Sequence, residues 1–254
     1  MKIATWNVNS LKVRLPHLLD WLPALDPDVV CLQETKLENS AFPRDEIEKA
    51  GYQALFAGQK TYNGVAVLTK GAAVLVGAGL PGFADEQKRL LAADFGDLRV
   101  VCAYFPNGQA VGSDKYEYKL RWIGALTDWL REELRAHPRL VLAGDLNIAP
   151  EDRDVHDPQA WEGQVLCSQP ERAAFQGLIE IGMVDGFRLF EQPEKSYTWW
   201  DYRMAAFRRN MGLRIDHVLL STQMSGRCTR CWIDTGLRKL ERPSDHAPVI
   251  VELA

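Results

Sequence analysis

Carboxylates, amides and one histidine stand where apolar runs of this chain end. The first run closes on Trp6-Asn7-Val8-Asn9, and the alternation of strand side chains predicts that Asn7 and Asn9 share a face. The second closes on Cys31-Leu32-Gln33-Glu34, with a carboxylate just past the apolar stretch. Gly144-Asp145-Leu146-Asn147 aims an acid and an amide the same way by i, i+2 spacing. Arg214-Ile215-Asp216 sets an acid in an otherwise hydrophobic run, and Ser244-Asp245-His246 precedes the last run. Each alone has an ordinary explanation: Glu34 as a solvated strand end, Asn7 as a turn former, Asp145 as a cap, His246 as a hydrogen-bonded core histidine. Gathered at strand ends, where substrate sites of layered α/β proteins lie, they read as one site. Oxygen donors without a cysteine pair suit a hard cation, Mg²⁺ with Mn²⁺ as its substitute, rather than zinc. Such a cation with a carboxylate and an imidazolium suits phosphate ester hydrolysis: the metal polarises a phosphoryl oxygen, the carboxylate orients water, and the imidazolium offsets developing charge.

Strands must hold these residues. Short apolar runs predict them at 3–8, 28–33, 64–69, 73–76, 89–95, 98–105, 139–144, 197–202, 213–220, 229–233 and 248–253. Helical spacing is clearest over 113–137, where Leu120, Ile123, Leu126, Leu130 and Leu134 line one face before Pro138; weaker helices are expected at 11–25, 45–51 and 170–181. A βαβ start followed by strands, with the plan repeated after residue 139, predicts an α/β fold of two sheets face to face with helices outside, a four-layer αββα sandwich. No linker or low-complexity stretch divides residues 1–254, so one catalytic domain is expected. Two motifs are set aside. Gly77-Ala78-Gly79-Leu80-Pro81-Gly82 matches a phosphate-loop pattern but has Pro81 and Gly82 where a helix should start, so it reads as a turn; the run from Asp152 to Asp157 lacks the glycine and glutamate of a calcium loop and reads as a solvated acidic loop.

The 254 residues are 46% hydrophobic and 25% charged, a globular balance that excludes disordered and disulfide-scaffold classes. The N-terminus lacks a signal-peptide pattern and no apolar run reaches membrane-spanning length, so a cytoplasmic protein without a membrane partner is expected. Cys31, Cys102, Cys167, Cys228 and Cys231 are scattered and read as reduced thiols. A net charge of -4 argues against a generic polyanion binder and leaves a local basic patch as the way to hold phosphate.

The quoted segments, together with Gly64-Val65-Ala66, Tyr104-Phe105-Pro106-Asn107-Gly108 and Ile148-Ala149-Pro150, resemble in order the motifs of the exonuclease III family. That family is the bacterial AP endonuclease branch of the endonuclease/exonuclease/phosphatase superfamily, and its fold is DNase I-like. The resemblance spans the chain. It implies a metal-dependent DNA repair phosphodiesterase that removes nucleotides from 3′ ends of duplex DNA and cuts 5′ to abasic sites, acting as a monomer. It also implies roles: Glu34 as metal ligand, Asn9 as a second and weaker one, and Asp245 as an acid near the metal. Asp145 falls at the aspartate that orients or deprotonates water, while Asn7 and Asn147 fall at amides holding the scissile phosphate and that aspartate. Tyr104 contacts the phosphate, His246 binds it, Asp216 holds the His246 ring, and Asn107 lies on the substrate side.

Between Tyr197 and Met211 aromatics alternate with arginines. Sheet packing and a solvated loop would account for this; the resemblance instead makes Trp199, with Leu213 and Ile215, an apolar wall for a base-free sugar, which is the cheapest nucleotide to extrude. Arg203 falls where relatives insert a side chain into the helix, and Arg208 and Arg209 grip backbone phosphates. Ala110 is small where some relatives carry a second inserted side chain, which favours work at a 3′ end. Two alternatives stand beside this reading: a phosphatase or sphingomyelinase-type member of the superfamily, disfavoured by the Tyr104 motif and the aromatic-arginine loop, and a non-catalytic DNA-binding relative, which would need a missing catalytic group.

Overall fold

A computed structural model describes residues 1–254, and the plan repeats. β1 (Lys2–Asn7) leads through α1 (Leu11–Leu25) to its parallel neighbour β2 (Val29–Gln33), a connection that needs the length of a helix. α2 (Arg44–Lys49), β3 (Gln53–Ala57) and β4 (Val65–Thr69) follow. With β13 (Cys228–Ile233) and β14 (Val249–Leu253) they complete a sheet of order β13-β14-β1-β2-β4-β3. In the second sheet β7 (Leu98–Tyr104) leads through α3 (Asp114–Ala136) to parallel β8 (Leu140–Asp145). β5 (Ala73–Ala78), β6 (Leu90–Phe95), β9 (Met183–Asp185) and β12 (Asp216–Ser221) give the order β5-β6-β7-β8-β12-β9. A short ribbon of β10 (Trp199–Trp200) and β11 (Gly212–Leu213) stands apart, and α4 (Pro158–Trp161) and α5 (Gln169–Glu180) fill the segment after β8.

The sheets pack through Ile3, Val29 and Val67 on one side and Leu91, Val100, Val141 and Val218 on the other. α1 and α2 cover the outer face of the first sheet with Leu18, Leu22 and Ile47, and α3 and α5 cover the second with Ile123, Leu126 and Phe175. These are the four layers expected. Central strands are covered on both faces, which is why they carry continuous apolar runs.

Differences fall where local pattern is weak. Edge strand β3 and three-residue β9 were not expected. The expected strand 213–220 is two strands, split at Arg214 and Ile215, and only Trp199–Trp200 of 197–202 is extended in a sheet. On α3 the buried face is Tyr116, Lys119, Trp122, Ile123, Leu126 and Leu130, while Leu120 and Leu134 are half-buried at its margin. The segment expected to be a solvated acidic loop is exposed at Asp152 and Asp157 but not at Asp154, which is fully buried and takes the Arg214 guanidinium on both oxygens, at 2.6 and 3.2 Å. An acid of loop-like sequence is buried because its counter-charge arrives from residue 214. Within the 77–82 segment Gly77 and Ala78 finish β5 and the expected turn follows at Pro81 and Gly82, and all five cysteines are free, with Cys228 the one only half-buried.

In each parallel pair the strands end side by side, so Asn7, Glu34, Tyr104 and Asp145 gather at one end of the sandwich. Gly144 fixes the approach of β8 to β7, because a Cβ there would lie 1.8 Å from the carbonyl oxygen of its register partner Ala103. Gly144→Ala is therefore expected to cost about 2 kcal/mol or more in urea denaturation; unchanged stability would overturn this role for the glycine.

Candidate active site

Asn7 is the last residue of β1 and has no solvent exposure. Its Nδ2 donates both protons, to Glu34 Oε1 at 2.8 Å and to Asp145 Oδ2 at 2.9 Å, so one amide joins carboxylates from opposite sheets. Its Oδ1 accepts the Asn9 N–H at 2.9 Å. Glu34 follows β2 in a left-handed backbone conformation, φ 52°. Asn147, at φ 50°, turns back on Asp145: its N–H donates to Oδ1 at 3.0 Å and its Nδ2 to Oδ2 at 3.3 Å. Asn, with its short polar side chain, tolerates that backbone better than most residues.

β12 runs antiparallel to β8 with Asp216 opposite Asp145. The Asp216 Oδ2 accepts from His246 Nδ1 at 2.8 Å, leaving Nε2 3.8 Å from Asp145 Oδ2. The segment before β14 is tied to the centre by Ser244 Oγ, which donates to the Asn7 carbonyl at 2.7 Å. Tyr104 ends β7 beneath the Arg89 guanidinium, 4.8 Å from its ring centroid.

These contacts set the charges. Burial pushes Asp145 up, the His246 charge opposes it and Asp216 adds to it, and the carboxyl settles at about 7. Burial works against charged His246, but Asp216 and Asp145 outweigh it and raise the imidazole to about 10. Burial also pushes Glu34 up, yet Lys36, the Asn7 hydrogen bond and His246 together hold it below the usual carboxylate range. Burial, then Glu34 and Asp145, drive the Tyr104 hydroxyl well above its ordinary value, so it is a neutral donor. A carboxyl poised near neutrality opposite an imidazolium is acid–base machinery.

Glu34, Asp145 and His246 present ligand atoms within 4.8 Å of one another. The imidazolium is no ligand, which leaves oxygen donors. Lys36 Nζ lies 2.8 Å from Glu34 Oε2 and also donates to Asn9 Oδ1, so a cation already pairs with the oxygens expected to hold a metal. That donor set fits a hard cation. The Asp245 oxygens accept from Asn9 Nδ2 at 2.9 Å and from Trp199 Nε1 at 3.0 Å, so this acid is held beside Asn9 and Trp199. Asn9 does not share a strand face with Asn7, because β1 stops at Asn7 and Asn9 has φ 41°.

Trp199 is half-buried beside Asp245, with Leu213 opposite it in the ribbon; Leu213 and Ile215 are closed off behind it among Val155, Leu166 and Cys167. Arg203, Arg208 and Arg209 are exposed, and Met204 between them is exposed in left-handed backbone. Asn107 is exposed, its Nδ2 3.3 Å from Asn147 Oδ1. Sequence reasoning gave no role to Lys36 or to Arg14, which donates to the Asn9 carbonyl at 2.6 Å and to the Tyr202 hydroxyl at 2.8 Å. The available signal for Arg14 was a charge on the buried face of α1, between Leu11 and Leu18.

A two-sheet sandwich with this acid–base cluster at its strand ends is an enzyme of hydrolytic type. The chain belongs to the Endonuclease/Exonuclease/phosphatase family, whose sequence profile matches residues 4–246. It is 37% identical to exodeoxyribonuclease III of Haemophilus influenzae, over 99% of each chain. Among solved structures it resembles the Neisseria 3′ phosphatase NExo bound to a product DNA hairpin, at 44% identity and TM-score 0.97 over 100% of this chain and 99% of that one. It also resembles an AP endonuclease from Archaeoglobus fulgidus, at 36% identity and TM-score 0.95 over 100% and 99%.

The histidine pair yields a pH test. Activity that needs the imidazolium persists until pH rises through the His246 pKa of about 10. Asp216→Asn removes the anion that raises it, so the alkaline limb of kcat/KM is expected to fall toward the ordinary histidine value of ~6.5. Asp216→Asn/His246→Ala should be no slower than His246→Ala alone. An unmoved limb with additive losses would assign the two residues independent roles.

Proposed function

We propose that this chain is a metal-dependent DNA repair phosphodiesterase, working as a monomeric cytoplasmic enzyme with residues 1–254 as one catalytic domain. It hydrolyses nucleotides from 3′ ends of duplex DNA and cuts 5′ to abasic sites. The Asn7 bridge between Glu34 and Asp145, facing the His246–Asp216 pair, carries this reading. Asp145, near 7, takes a proton from water, with Asn7 and Asn147 fixing its oxygens. His246 meets the negative phosphate as imidazolium through Nε2, and Tyr104 donates its hydroxyl to the same group. Glu34 with the side-chain Oδ1 of Asn9, the two oxygens that Lys36 now pairs with, would hold Mg²⁺ or Mn²⁺, which when bound polarises a phosphoryl oxygen.

Arg203, Arg208 and Arg209 supply local positive charge on a chain of net charge -4, and Asn107 adds a donor at the mouth. Trp199 offers the exposed edge of an apolar wall, with Leu213 and Ile215 as its backing. The test is purified protein on two duplexes, one with an internal abasic analogue and one with a recessed intact 3′ end. With Mg²⁺ both are cut, and excess chelator abolishes both; no cleavage of either by folded protein with Mg²⁺ overturns the reading.

Asp145→Asn keeps the shape but cannot accept a proton, so single-turnover cleavage is expected to fall on the order of a hundredfold with DNA binding intact. Near-wild-type turnover would remove Asp145 as the base. Trp199→Ala is expected to slow abasic-site cleavage on the order of tenfold while sparing 3′-end hydrolysis, and Trp199→Phe to restore most of it. Equal loss of both activities would make Trp199 a packing residue.

A further inference from the structure

Opposite the Asn7 bridge, Asp145 and its loop rest on a lysine that the mechanism above does not use. Lys119 lies on the buried face of α3, three residues before Trp122 and four before Ile123, and has no solvent exposure. Its Nζ donates to the carbonyl oxygens of Asn147 at 2.7 Å and Asn107 at 3.2 Å, and pairs with Glu171 Oε1. An ammonium has three protons, so every donor is used.

Glu171, equally buried, is fixed from its other side. It accepts from the N–H groups of Leu166 at 3.0 Å and Ser168 at 3.1 Å and from Ser168 Oγ at 2.5 Å, closing the capping box of α5. Tyr116, one turn before Lys119 on α3, meets Ser168 Oγ through its hydroxyl at 2.6 Å. The ammonium thus stands at a fixed point relative to two helices.

Taking a lysine and a glutamate fully out of water is costly, and an apolar pair of similar size would join α3 to α5 as well or better. What an apolar pair would not supply is a partner for the two carbonyls. Those carbonyls belong to residues whose side chains meet, Asn107 Nδ2 donating to Asn147 Oδ1 at 3.3 Å. Asn147 then donates to both Asp145 oxygens from left-handed backbone, a conformation that needs its surroundings to hold it. The peptide planes at Asn107 and Asn147 lie on separate loops, after β7 and after β8, and one ammonium ties both.

We propose that Lys119, clamped by Glu171, is a positioning residue for phosphodiester hydrolysis: it pins the Asn107 and Asn147 carbonyls so that Asn147 keeps Asp145 aimed. This rests on the reading of Asp145 as the base. The proposal requires Lys119 to act through Asn147, which a purely structural pair would not do.

The test is a double-mutant cycle read by kcat and KM on the recessed 3′-end duplex. Lys119→Met/Glu171→Gln removes both charges while leaving an acceptor for the α5 cap. It is expected to lower kcat on the order of tenfold or more, because small misplacement of a reacting group is expensive, with KM held. In an Asn147→Ala background the same pair of substitutions should cost less than about twofold, since Lys119 then has nothing left to aim. In a Glu34→Gln background the full loss should return. If the pair variant does not fold, Lys119→Arg carries the same cycle: it keeps the charge opposite Glu171 but offers a planar fork to acceptors arranged round a tetrahedral head. Equal losses in the Asn147→Ala and wild-type backgrounds, or unchanged kcat in the folded variant, overturn the proposal while leaving Asp145 as the base. If Asn147→Ala alone leaves kcat unchanged, Asn147 does not hold Asp145, and the Lys119 proposal falls with it; if Asp145→Asn is also active, the underlying reading fails.

Discussion

Two carboxylates from two different sheets share one amide, and the rest of the site follows from that. Glu34 and Asp145 are brought together at the meeting of the β-layers, where like charges in a poorly solvated space repel. Asn7 places one proton on each, at 2.8 and 2.9 Å, and its own oxygen is taken by the Asn9 N–H. The amide cannot do this unless both sheets end at the same level. Register of the two parallel pairs, the close approach at Gly144 and the αββα layering are therefore parts of one constraint. A carboxylate in that place of Asn7 would add a third negative charge, and an apolar residue would leave two acids without their shared donor.

The second layer of control is cationic. His246 is held charged by Asp216, Lys36 pairs with Glu34, and Arg14 reaches from α1 to the Asn9 carbonyl and the Tyr202 hydroxyl. Asp145 is left near neutrality, because burial acts on it more strongly than His246 compensates. Its difference from Glu34, which is held low by Lys36 and the Asn7 hydrogen bond, leaves one acid able to take up or lose a proton near neutral pH and the other charged.

Much of this was legible in the chain, for a physical reason. Strands buried on both faces must be apolar throughout, so the polar residues that end them stand out, as Asn7, Glu34 and Asp145 did. Ions whose partners are remote in sequence were not legible. Asp154 looks like a loop acid until Arg214 arrives on it, and Lys119 looks like an exposed helix lysine until Glu171 and two carbonyls are supplied. Periodicity places a side chain on a face but says nothing of what faces it. The same limit misplaced Asn9: alternation assumes that the strand continues, whereas β1 ends and the backbone turns left-handed. Ribbon and edge strands of two or three residues, such as β10 and β9, lacked the length for a pattern to register, and five-residue β3, a partly exposed edge strand, lacks the continuous apolar burial that marks β2 and β4.

The pairing of β1 with β14 has a consequence in time. The site joins Asn7, near the beginning of the chain, to Ser244 and His246, and Ser244 Oγ reaches the Asn7 carbonyl only when the last strand is laid beside the first. During synthesis Asn7 waits for 237 further residues before Ser244 exists. A nascent or prematurely terminated chain therefore carries Asn7, Glu34 and even Asp145 without the imidazolium that completes them. The order of strands in the sheet thus ties assembly of the whole cluster to the arrival of β14.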